Sequence, residues 1–343
     1  MQITVQIKIE PTAEQSKLLE QTLTEYIGSV NTMLGWMYTF ESLGKLTSRN
    51  APGDIPSALR CQCAQDARSI YRSFKQGTKK RLPVLKRPAA VWNNQNYSIS
   101  ERSVTFPMQN GRTKRYTVTA LITPEQYAVL STHKTGTLRI TRKCGKWIAQ
   151  IAYECEEVET AAGCSMGVDL GIKCPAVCIT DGGKVKFIGN GRKNKQMRRR
   201  FSARRKTLQK KGKLRAVKKL NDKEQRIMRD TDHKLSRQIV DWAVSRNVGT
   251  IKLEKLQNIR KKTRQSRKNN RSINTWSFYR LAQYIEYKAK LAGINVIYVN
   301  PAYTSQKCPQ CGAQNKAKDR TYTCGCGYHG HRDVVGAKNI LAA

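Results

Sequence analysis

Polar and apolar residues alternate over residues 2–10, QITVQIKIE, which predicts a half-buried β-strand. From Thr12 onward the apolar residues recur every three or four positions instead, and Thr12 with Gln15 matches a helix-capping box. A second helical pattern runs over about 57–74, and alternating strand patterns return over 100–155. One strand, then helices, then several strands predict a β-barrel that is interrupted by a helical insertion.

Short apolar runs separated by helical segments follow from Ser165. The runs MGVDLGI, AVCIT and VKFIG predict three successive strands, and GTIKLEKL and INVIYV predict a fourth and a fifth. A long helical pattern to about Ser245 separates the third strand from the fourth, a helix over 275–292 that stops at Gly293 separates the fourth from the fifth, and a last helix closes the chain. This order of elements is typical of an RNase H-like α/β fold.

The net charge of the chain is +40, since 64 Lys and Arg residues stand against 24 Asp and Glu residues. A surface this basic repels itself, so a polyanion is the expected partner. An anionic membrane is the rival partner, but no apolar run approaches the ~20 residues of a membrane-spanning helix, and the N-terminus lacks the pattern of a signal peptide. The eleven cysteines are odd in number and mostly scattered, which favours a reducing cytoplasm and one metal site over a disulfide scaffold.

Two stretches concentrate the positive charge. Residues 192–219 contain fifteen Lys or Arg and no acidic residue, and residues 75–97 are basic and irregular. Such a run is often a solvated helical face, but the lack of any acidic residue in 192–219 favours a groove that follows phosphates. Farther along, Trp276 and Phe278 are interpreted as core residues rather than as platforms for base stacking.

Four cysteines near the end of the chain have the spacing of a metal site: Cys308-Pro-Gln-Cys311, twelve intervening residues, then Cys324-Gly-Cys326. Four thiolates on two such knuckles suit tetrahedral zinc, and an iron–sulfur cluster is the rarer alternative. Because four cysteines fill the coordination shell, no position stays open for a substrate. The predicted zinc ion is therefore structural.

Three acidic residues fall where strands end or helices begin. Asp169, in GVDLGIK, lies between Gly167 and Gly171 on one face of its strand, which leaves space for metal ions and a bulky phosphodiester. Glu254 comes near the end of the fourth strand, and Asp333 near the start of the last helix. Each residue also has an ordinary structural explanation. Asp169 could accept hydrogen bonds in a turn, and Glu254 could be a solvated side chain. Asp333 could be a charge that suits the helix dipole.

Together the three acidic residues predict a catalytic edge of the sheet. A first strand, a fourth strand and a closing helix can converge there, and three carboxylates can hold two Mg²⁺ ions about 4 Å apart. Such a pair of ions activates a water and stabilises the leaving oxygen, so no protein base is required. The cysteine cluster comes just before the last helix, and we expect it to hold Asp333 in place.

The segments GVDLGIK, IKLEKL, VNPAYTSQKCPQCG and CGCGYHGHRDVVGAKNI resemble the RuvC motifs and zinc ribbon of TnpB (OrfB), the transposon-encoded nucleases ancestral to type V CRISPR effectors. The motif resemblance covers about 165–343, whereas the N-terminal half resembles the family only in organisation. It implies an RNase H-like (RuvC) nuclease domain with an inserted zinc ribbon, and an N-terminal wedge β-barrel that a helical recognition lobe interrupts. The implied ranges are 1–10 and 98–160 for the wedge barrel, 11–97 for the recognition lobe, 161–305 for the RuvC domain, 306–328 for the zinc ribbon, and 329–343 for the closing RuvC helix.

The resemblance also implies an activity, that of an RNA-guided DNA endonuclease in the prokaryotic cytoplasm, acting at the nucleoid. A guide RNA would pair with the target strand of double-stranded DNA, with one protein copy per RNA, and the protein would read a short adjacent motif. One RuvC site with two Mg²⁺ ions would cut, beside a lid over 257–273, and one structural Zn²⁺ would hold the ribbon. The single residue between Cys324 and Cys326 departs from the two that many members have. The implied catalytic residues and Mg²⁺ ligands are Asp169, Glu254 and Asp333, and the implied zinc ligands are Cys308, Cys311, Cys324 and Cys326.

Two other functions stay open at this point. A nuclease-dead, RNA-guided repressor would bind DNA without cutting it, although all three carboxylates are present. A transposase, or an accessory to one, would use the same fold for strand transfer. That function needs a module for transposon ends, and the zinc ribbon is the one candidate for it.

Overall fold

The chain folds into two compact units, Met1–Glu156 and Glu157–Ala343, each with its own hydrophobic core. The structure is a computed structural model. Most of the predicted lid, 257–265, lies outside the described residues, among which no helix is long and apolar enough to cross a bilayer. The described residues are 1–40, 46–77, 81–109, 114–156, 158–160, 163–256, 266–317 and 319–343.

A curled antiparallel sheet of seven strands forms the first unit: β1 (Gln2–Glu10), β2 (Ala89–Trp92), β3 (Ser98–Ser100), β4 (Ser103–Pro107), β5 (Arg115–Leu121), β6 (Thr135–Lys143) and β7 (Lys146–Glu154). Their order is β2-β6-β7-β1-β5-β4-β3. The alternation in β1 buries Ile7 and Ile9, which confirms the predicted strand. Trp92 at one edge contacts Phe106 near the other, with ring centroids 5.1 Å apart, so the predicted barrel takes the form of a sheet curled around its core.

Two long helices lie between β1 and β2 in the chain, α1 (Ala13–Thr39) and α2 (Ser57–Gln76), and a short one, α3 (Pro124–Thr132), lies between β5 and β6. The predicted capping box begins α1: the Gln15 amide donates to the Thr12 hydroxyl at 3.2 Å, and the Thr12 amide donates to the Gln15 side chain at 3.1 Å. Apolar residues of α1 and α2 share one core with the sheet. The sheet resumes at Ala89, inside the range 11–97 assigned to the helical lobe.

Five strands form the main sheet of the second unit: β8 (Cys164–Asp169), β9 (Ala176–Thr180), β10 (Val185–Ile188), β11 (Val248–Glu254) and β12 (Asn295–Val299). Their order is β10-β9-β8-β11-β12. The first three in the chain are antiparallel neighbours, whereas β11 runs parallel to β8 and β12 parallel to β11. Because β8 and β11 are parallel neighbours, their carboxyl ends meet at the same edge of the sheet.

Helices cover both faces of this sheet: α4 (Gly191–Lys210), α5 (Leu214–Ser245), α6 (Arg267–Thr275), α7 (Phe278–Leu291) and α8 (Arg332–Ala342). Apolar residues of α5 and α7 share a core with Val168, and Ala337 of α8 packs on the opposite face. Gly167 permits that approach, because a Cβ atom there would overlap the carbonyl oxygen of Ala337. A hairpin of β13 (Thr321–Thr323) and β14 (His329–His331) precedes α8.

Candidate functional site

Three acidic side chains lie at one edge of the sheet in the second unit. Asp169 is the last residue of β8, Glu254 is the last residue of β11, and the pairing of Val168 with Leu253 puts them level. Asp333 lies in the first turn of α8. The charges of Glu254 and Asp333 both act on Asp169. The fold thus brings together three residues that are far apart in the sequence.

Gly336 gives Asp169 the space that it occupies. A Cβ atom at Gly336 would lie 2.9 Å from Oδ2 of Asp169, closer than carbon and oxygen atoms approach without a bond. The missing side chain therefore lets the first turn of α8 approach the end of β8. Asp333, about one turn earlier on the same helix, is carried to the edge with it.

Burial and like charge raise the pKa of Asp169. Burial has the largest effect, the carboxylates of Glu254 and Asp333 add to it, and the guanidinium groups of Arg332 and Arg320 oppose it, so that the pKa reaches about 8. Burial also raises the pKa of Glu254, against a hydrogen bond that lowers it. Carboxyl groups that resist ionisation in this way would be ionised more readily beside a divalent cation.

Residues outside the predicted set hold the carboxylates in place. The Thr304 hydroxyl donates a hydrogen bond to Glu254, and Arg320 donates to both carboxylate oxygens of Asp333. The side-chain amide of Asn339, on α8, donates to the carbonyl oxygen of Thr304 at 2.6 Å. Sequence reasoning missed these three residues, since they occupy no periodic position. The one indication in the sequence was that Thr304 and Asn339 lie inside the quoted motifs VNPAYTSQKCPQCG and CGCGYHGHRDVVGAKNI.

The oxygens of the three carboxylates do not all lie within 4.8 Å of one another. Among the described residues, only the four clustered cysteines have ligand atoms that all lie within 4.8 Å of each other. Arg320 forms an ion pair with Asp333 from the side of the hairpin.

The four predicted metal-ligating cysteines form one compact cluster. Sγ of Cys308 lies 3.7 Å from Sγ of Cys326, and Sγ of Cys311 lies 3.5 Å from Sγ of Cys324. A tetrahedral ion with metal–sulfur distances near 2.3 Å requires sulfurs about 3.8 Å apart. The cluster therefore has the dimensions of a closed four-cysteine metal site.

The sulfurs of this cluster do not ionise alike. Burial acts to raise the pKa of the Cys308 thiol, but hydrogen bonds from the backbone amides of Cys311 and Gln310 lower it to about 6. At Cys326 a backbone hydrogen bond from Tyr328 acts to lower the pKa, but burial and the neighbouring sulfurs raise it. Four thiolates this close repel each other, so a cation is needed to hold all four in the ionised form.

The cysteine hairpin leads directly into α8. The strand β14 ends at His331, whose Nδ1 accepts a hydrogen bond from the Asp333 amide at 3.2 Å. At the start of the hairpin, the Arg320 carbonyl accepts from the Arg332 amide at 2.8 Å, and the Arg320 side chain binds Asp333. Asp333 is thus held from both ends of the hairpin.

The predicted basic stretch 192–219 covers α4 and the start of α5. All of its Lys and Arg side chains are exposed except Arg198 and Arg205. These two turn inward and form ion pairs with the buried Glu224. The exposed remainder is a cationic surface of the kind that binds phosphates.

Comparison with known proteins finds two matching family models. One describes a "probable transposase" of the OrfB_IS605 type and matches residues 150–260, and the other is the Cas12f1-like TNB domain, which matches residues 278–340. The resemblance to the TnpB (OrfB) family is confirmed. The OrfB-type match contains Asp169 and Glu254, and the TNB match contains Asp333 with the four cysteines.

Curated proteins of TnpB and Cas12f type are similar to part of the chain. Cas12f1 of Sulfoacidibacillus thermotolerans, a CRISPR-associated endodeoxyribonuclease, is 31% identical over 57% of this chain and 50% of its own length. TnpB-like protein MJ0751 of Methanocaldococcus jannaschii is 37% identical over 43% of this chain and 56% of its own. InsQ of Escherichia coli K12, a putative RNA-guided DNA endonuclease, is 32% identical over 60% of this chain and 55% of its own length. The chain thus spans about half the length of these relatives.

A solved structure extends the fold match to nearly the whole chain. A Cas12f1 chain, in a cryo-EM structure titled as a complex with sgRNA and target DNA, covers 96% of this chain with a TM-score of 0.75, and 83% of its own length is matched. The two chains are 18% identical, so this match shows a shared fold and no more. The mixed α/β fold and the curled sheet are therefore shared with this Cas12f1 chain.

Proposed function

We propose that this chain is an RNA-guided DNA endonuclease whose second unit is an RNase H-like (RuvC) nuclease. The observation that carries the proposal is the placement of Asp169, Glu254 and Asp333 at one edge of the sheet, on β8, β11 and α8. The names of the TnpB-like and Cas12f relatives support it. When the five strands of its sheet are numbered 1 to 5 from β8 to β12, their order is 3-2-1-4-5, and strands 4 and 5 run parallel to strand 1. This topology supports the RNase H-like assignment.

The same three carboxylates would hold two Mg²⁺ ions. They fit such ions because carboxylate oxygens are the ligands that Mg²⁺ prefers, and because Asp169 is half-buried beside like charges that a cation would offset. When bound, the ions would supply Lewis-acid activation of a water and stabilisation of the leaving oxygen during phosphodiester hydrolysis.

The residues around the carboxylates have distinct tasks in this mechanism. The hydrogen bond from Thr304 favours the ionised form of Glu254, and Asn339 fixes Thr304 in turn. Arg320 donates to both carboxylate oxygens of Asp333 and so holds this side chain at the start of α8. Gly336 and Gly167 bring that helix close to the sheet without side chains between them. These contacts preorganise the three ligands.

We assign one structural Zn²⁺ ion to Cys308, Cys311, Cys324 and Cys326, which makes residues 306–328 a zinc ribbon. Thiolate ligands and sulfur distances near those of a tetrahedral site support zinc. Because all four ligands are supplied by the chain, the ion would not take part in hydrolysis. Its task would be to hold the hairpin that carries Arg320 and leads into α8.

The proposed partners are a guide RNA and double-stranded target DNA, with one copy of the protein per RNA. The exposed cations of 192–219 supply a phosphate-binding surface, and base pairing would supply the sequence choice. Within the first unit, we propose that the curled sheet is the wedge domain, that the helices of 11–97 form the recognition lobe, and that this unit reads the short adjacent motif.

Ribonuclease treatment should abolish site-specific cleavage. The full chain is purified with its co-purifying RNA, and a plasmid that matches the guide is cut before and after the RNA is digested. We expect cleavage with RNA, none without it, and none of a plasmid lacking the match, because base pairing selects the target. Efficient site-specific cutting by RNA-free protein would instead support a nuclease that reads DNA itself. Joined DNA products would support a transposase.

Replacing Gly336 by alanine should impair cleavage without unfolding the protein. Helix propensity alone favours alanine over glycine by about 1 kcal/mol, but the new Cβ displaces the Asp169 carboxylate that lies 2.9 Å from it. A small misplacement of this kind lowers cleavage by about tenfold or more. The rate of plasmid cleavage and the melting temperature are measured together.

Gly182→Ala is the matched control for that experiment. Gly182 lies in the turn between β9 and β10, where an added Cβ meets no atom within 4 Å. We expect this variant to cleave normally. Normal cleavage by Gly336→Ala would show that the position of the Asp169 carboxylate does not matter.

A further inference from the structure

A cavity of about 760 Å³ lies in the second unit and reaches the loop that follows β8. Its wall includes Gly171 and Ile172, which follow Asp169 by two and three positions. From there it extends between α4, α5, α6 and the start of α7. The volume lies within the range of about 300–1,000 Å³ that is typical of pockets for small ligands.

One side of the cavity is apolar. Met228 and Leu235 of α5, Leu281 of α7, and Trp276, which precedes α7, line this side. Trp276 is half-buried: it packs against the core of the unit and also faces the cavity. The interpretation of Trp276 as a core residue therefore describes only part of its surroundings. An aromatic ring beside aliphatic side chains is a surface on which a nucleobase can stack.

The deeper charged groups of the cavity are already paired. Glu224 is bound by Arg205 and lies 3.7 Å from Arg198, and the buried Asp232 is bound by Arg280. Three guanidinium groups thus offset two carboxylates, so no uncompensated negative charge is left there to repel a ligand.

The rim of the cavity carries the available positive charge. Lys195 and Arg199 of α4 and Arg271 of α6 line it and are exposed. Arg271 also donates a hydrogen bond at 2.6 Å to the hydroxyl of Ser202 on α4, which holds its guanidinium group against that helix. A cationic rim above an apolar interior matches a nucleotide, whose phosphate is charged and whose base is flat and apolar on its faces.

We propose that this cavity binds an unpaired nucleotide of the DNA strand that is cut, with the base against Trp276 and its phosphates at Lys195, Arg199 and Arg271. The proposal rests on the proposed nuclease function, and its link to the catalytic edge is the loop after β8, where Gly171 and Ile172 of the cavity wall follow Asp169. A nucleotide held there would fix the strand as it approaches the carboxylates. The same chemistry would suit an unpaired nucleotide of the guide RNA, and the experiment below separates the two sources.

The test is photo-cross-linking, which does not depend on cleavage. The full chain with its co-purifying RNA, as the Asp169→Ala variant, is mixed with a single-stranded oligonucleotide that contains 5-iodouracil, and the cross-linked peptide is identified by mass spectrometry. We expect a cross-link to the peptide that contains Trp276. In a second arm, cells are grown with 4-thiouridine so that the RNA carries the photoreactive base. A Trp276 cross-link from the RNA arm alone would overturn the assignment to DNA.

Affinity for the same oligonucleotide gives a second readout. We expect Trp276→Leu and Arg271→Gln each to weaken binding by about fivefold or more, whereas Tyr279→Leu and Arg237→Gln should bind as the parent does. Tyr279 and Arg237 are exposed and lie outside the cavity. Because Trp276 contacts the core, its variant is checked by its melting temperature, and Arg271→Gln, at an exposed position, keeps the test independent of folding.

The outcomes distinguish this inference from the nuclease proposal. Cross-links only to peptides without Trp276, together with unchanged affinity of both variants, would overturn the inference even if the parent protein cuts DNA. A Trp276 cross-link from the DNA arm would support it, and a parent protein that then fails to cut matched DNA would overturn the nuclease proposal alone.

Discussion

Replacing any one of Asp169, Glu254 and Asp333 by alanine is expected to lower DNA cleavage by about 10³-fold or more and to leave binding of the matched target nearly unchanged. Metal ligands stabilise the transition state of hydrolysis and contribute little to docking, so their loss acts on the rate. Cleavage is measured on a matched plasmid, and binding by electrophoretic mobility of the same complex. Replacement of Mg²⁺ by Ca²⁺ should likewise permit binding without cutting.

Asp241→Ala is a matched control for these variants. Asp241 is an exposed carboxylate on α5 that pairs with Arg237 at 3.4 Å and lies outside the catalytic edge. Its loss should not change cleavage. Cleavage that persists in one of the three site variants would remove that residue from the proposed ligand set. Cleavage that persists in all three variants would contradict the nuclease proposal.

The Asp169→Ala variant also has a readout that is independent of activity. Without divalent ions the folded protein retains a proton on Asp169 up to a pKa of about 8, whereas the unfolded chain releases it near the ordinary value of about 4. Between these values the folded state binds more protons, so the free energy of unfolding contributed by this group falls as pH rises. Urea unfolding at several pH values, with a chelator present, should show a weaker fall for Asp169→Ala. An identical pH dependence would contradict the burial of this carboxyl.

Loss of the cysteine-bound metal is expected to have the second large effect. The purified protein should contain one tightly held zinc per chain, and Cys311→Ser should lose it, because structural zinc sites need all four ligands. Without the ion the hairpin loosens, and Arg320 and His331 no longer fix the start of α8. Cleavage should then fall by about a hundredfold through the displacement of Asp333. Zinc content is measured by elemental analysis and cleavage on the matched plasmid.

Cys144→Ser separates this effect from a general effect of cysteine loss. Cys144 is an exposed cysteine in the turn between β6 and β7, far from the cluster in the sequence. Its replacement should leave the zinc content at one per chain. A zinc-free Cys311→Ser protein with full nuclease activity would show that the hairpin does not hold Asp333 in its working position.

Local patterns were sufficient to predict much of the second unit. The alternation around Asp169 predicted a strand with a glycine-lined face, and Gly167 does lie against α8 while Val168 faces the opposite core. The spacing of the cysteines predicted a cluster whose sulfurs now lie 3.5–3.7 Å apart in pairs. These features depend on residues that are close in the sequence or repeat with a period, so the sequence displays them directly.

Features that depend on tertiary packing were not visible in the sequence. Thr304 meets Glu254 across 50 positions, and Asn339 meets Thr304 across 35, so nothing local marks either contact. The double contact of Trp276, with the core and with the cavity, arises only when α4 to α7 pack together. The catalytic roles of the three carboxylates remain predictions that the experiments above test.

The parallel pairing of β8 with β11 has a consequence for how the protein folds. Parallel neighbours require a long connection, here α4 and α5 with the strands before them, and such non-local pairings form slowly. Local helices such as α4, with its many cations, can form much earlier. A partly folded chain would therefore attract nucleic acid before its carboxylates have met. The cationic surface would thus be complete before the proposed catalytic edge is assembled.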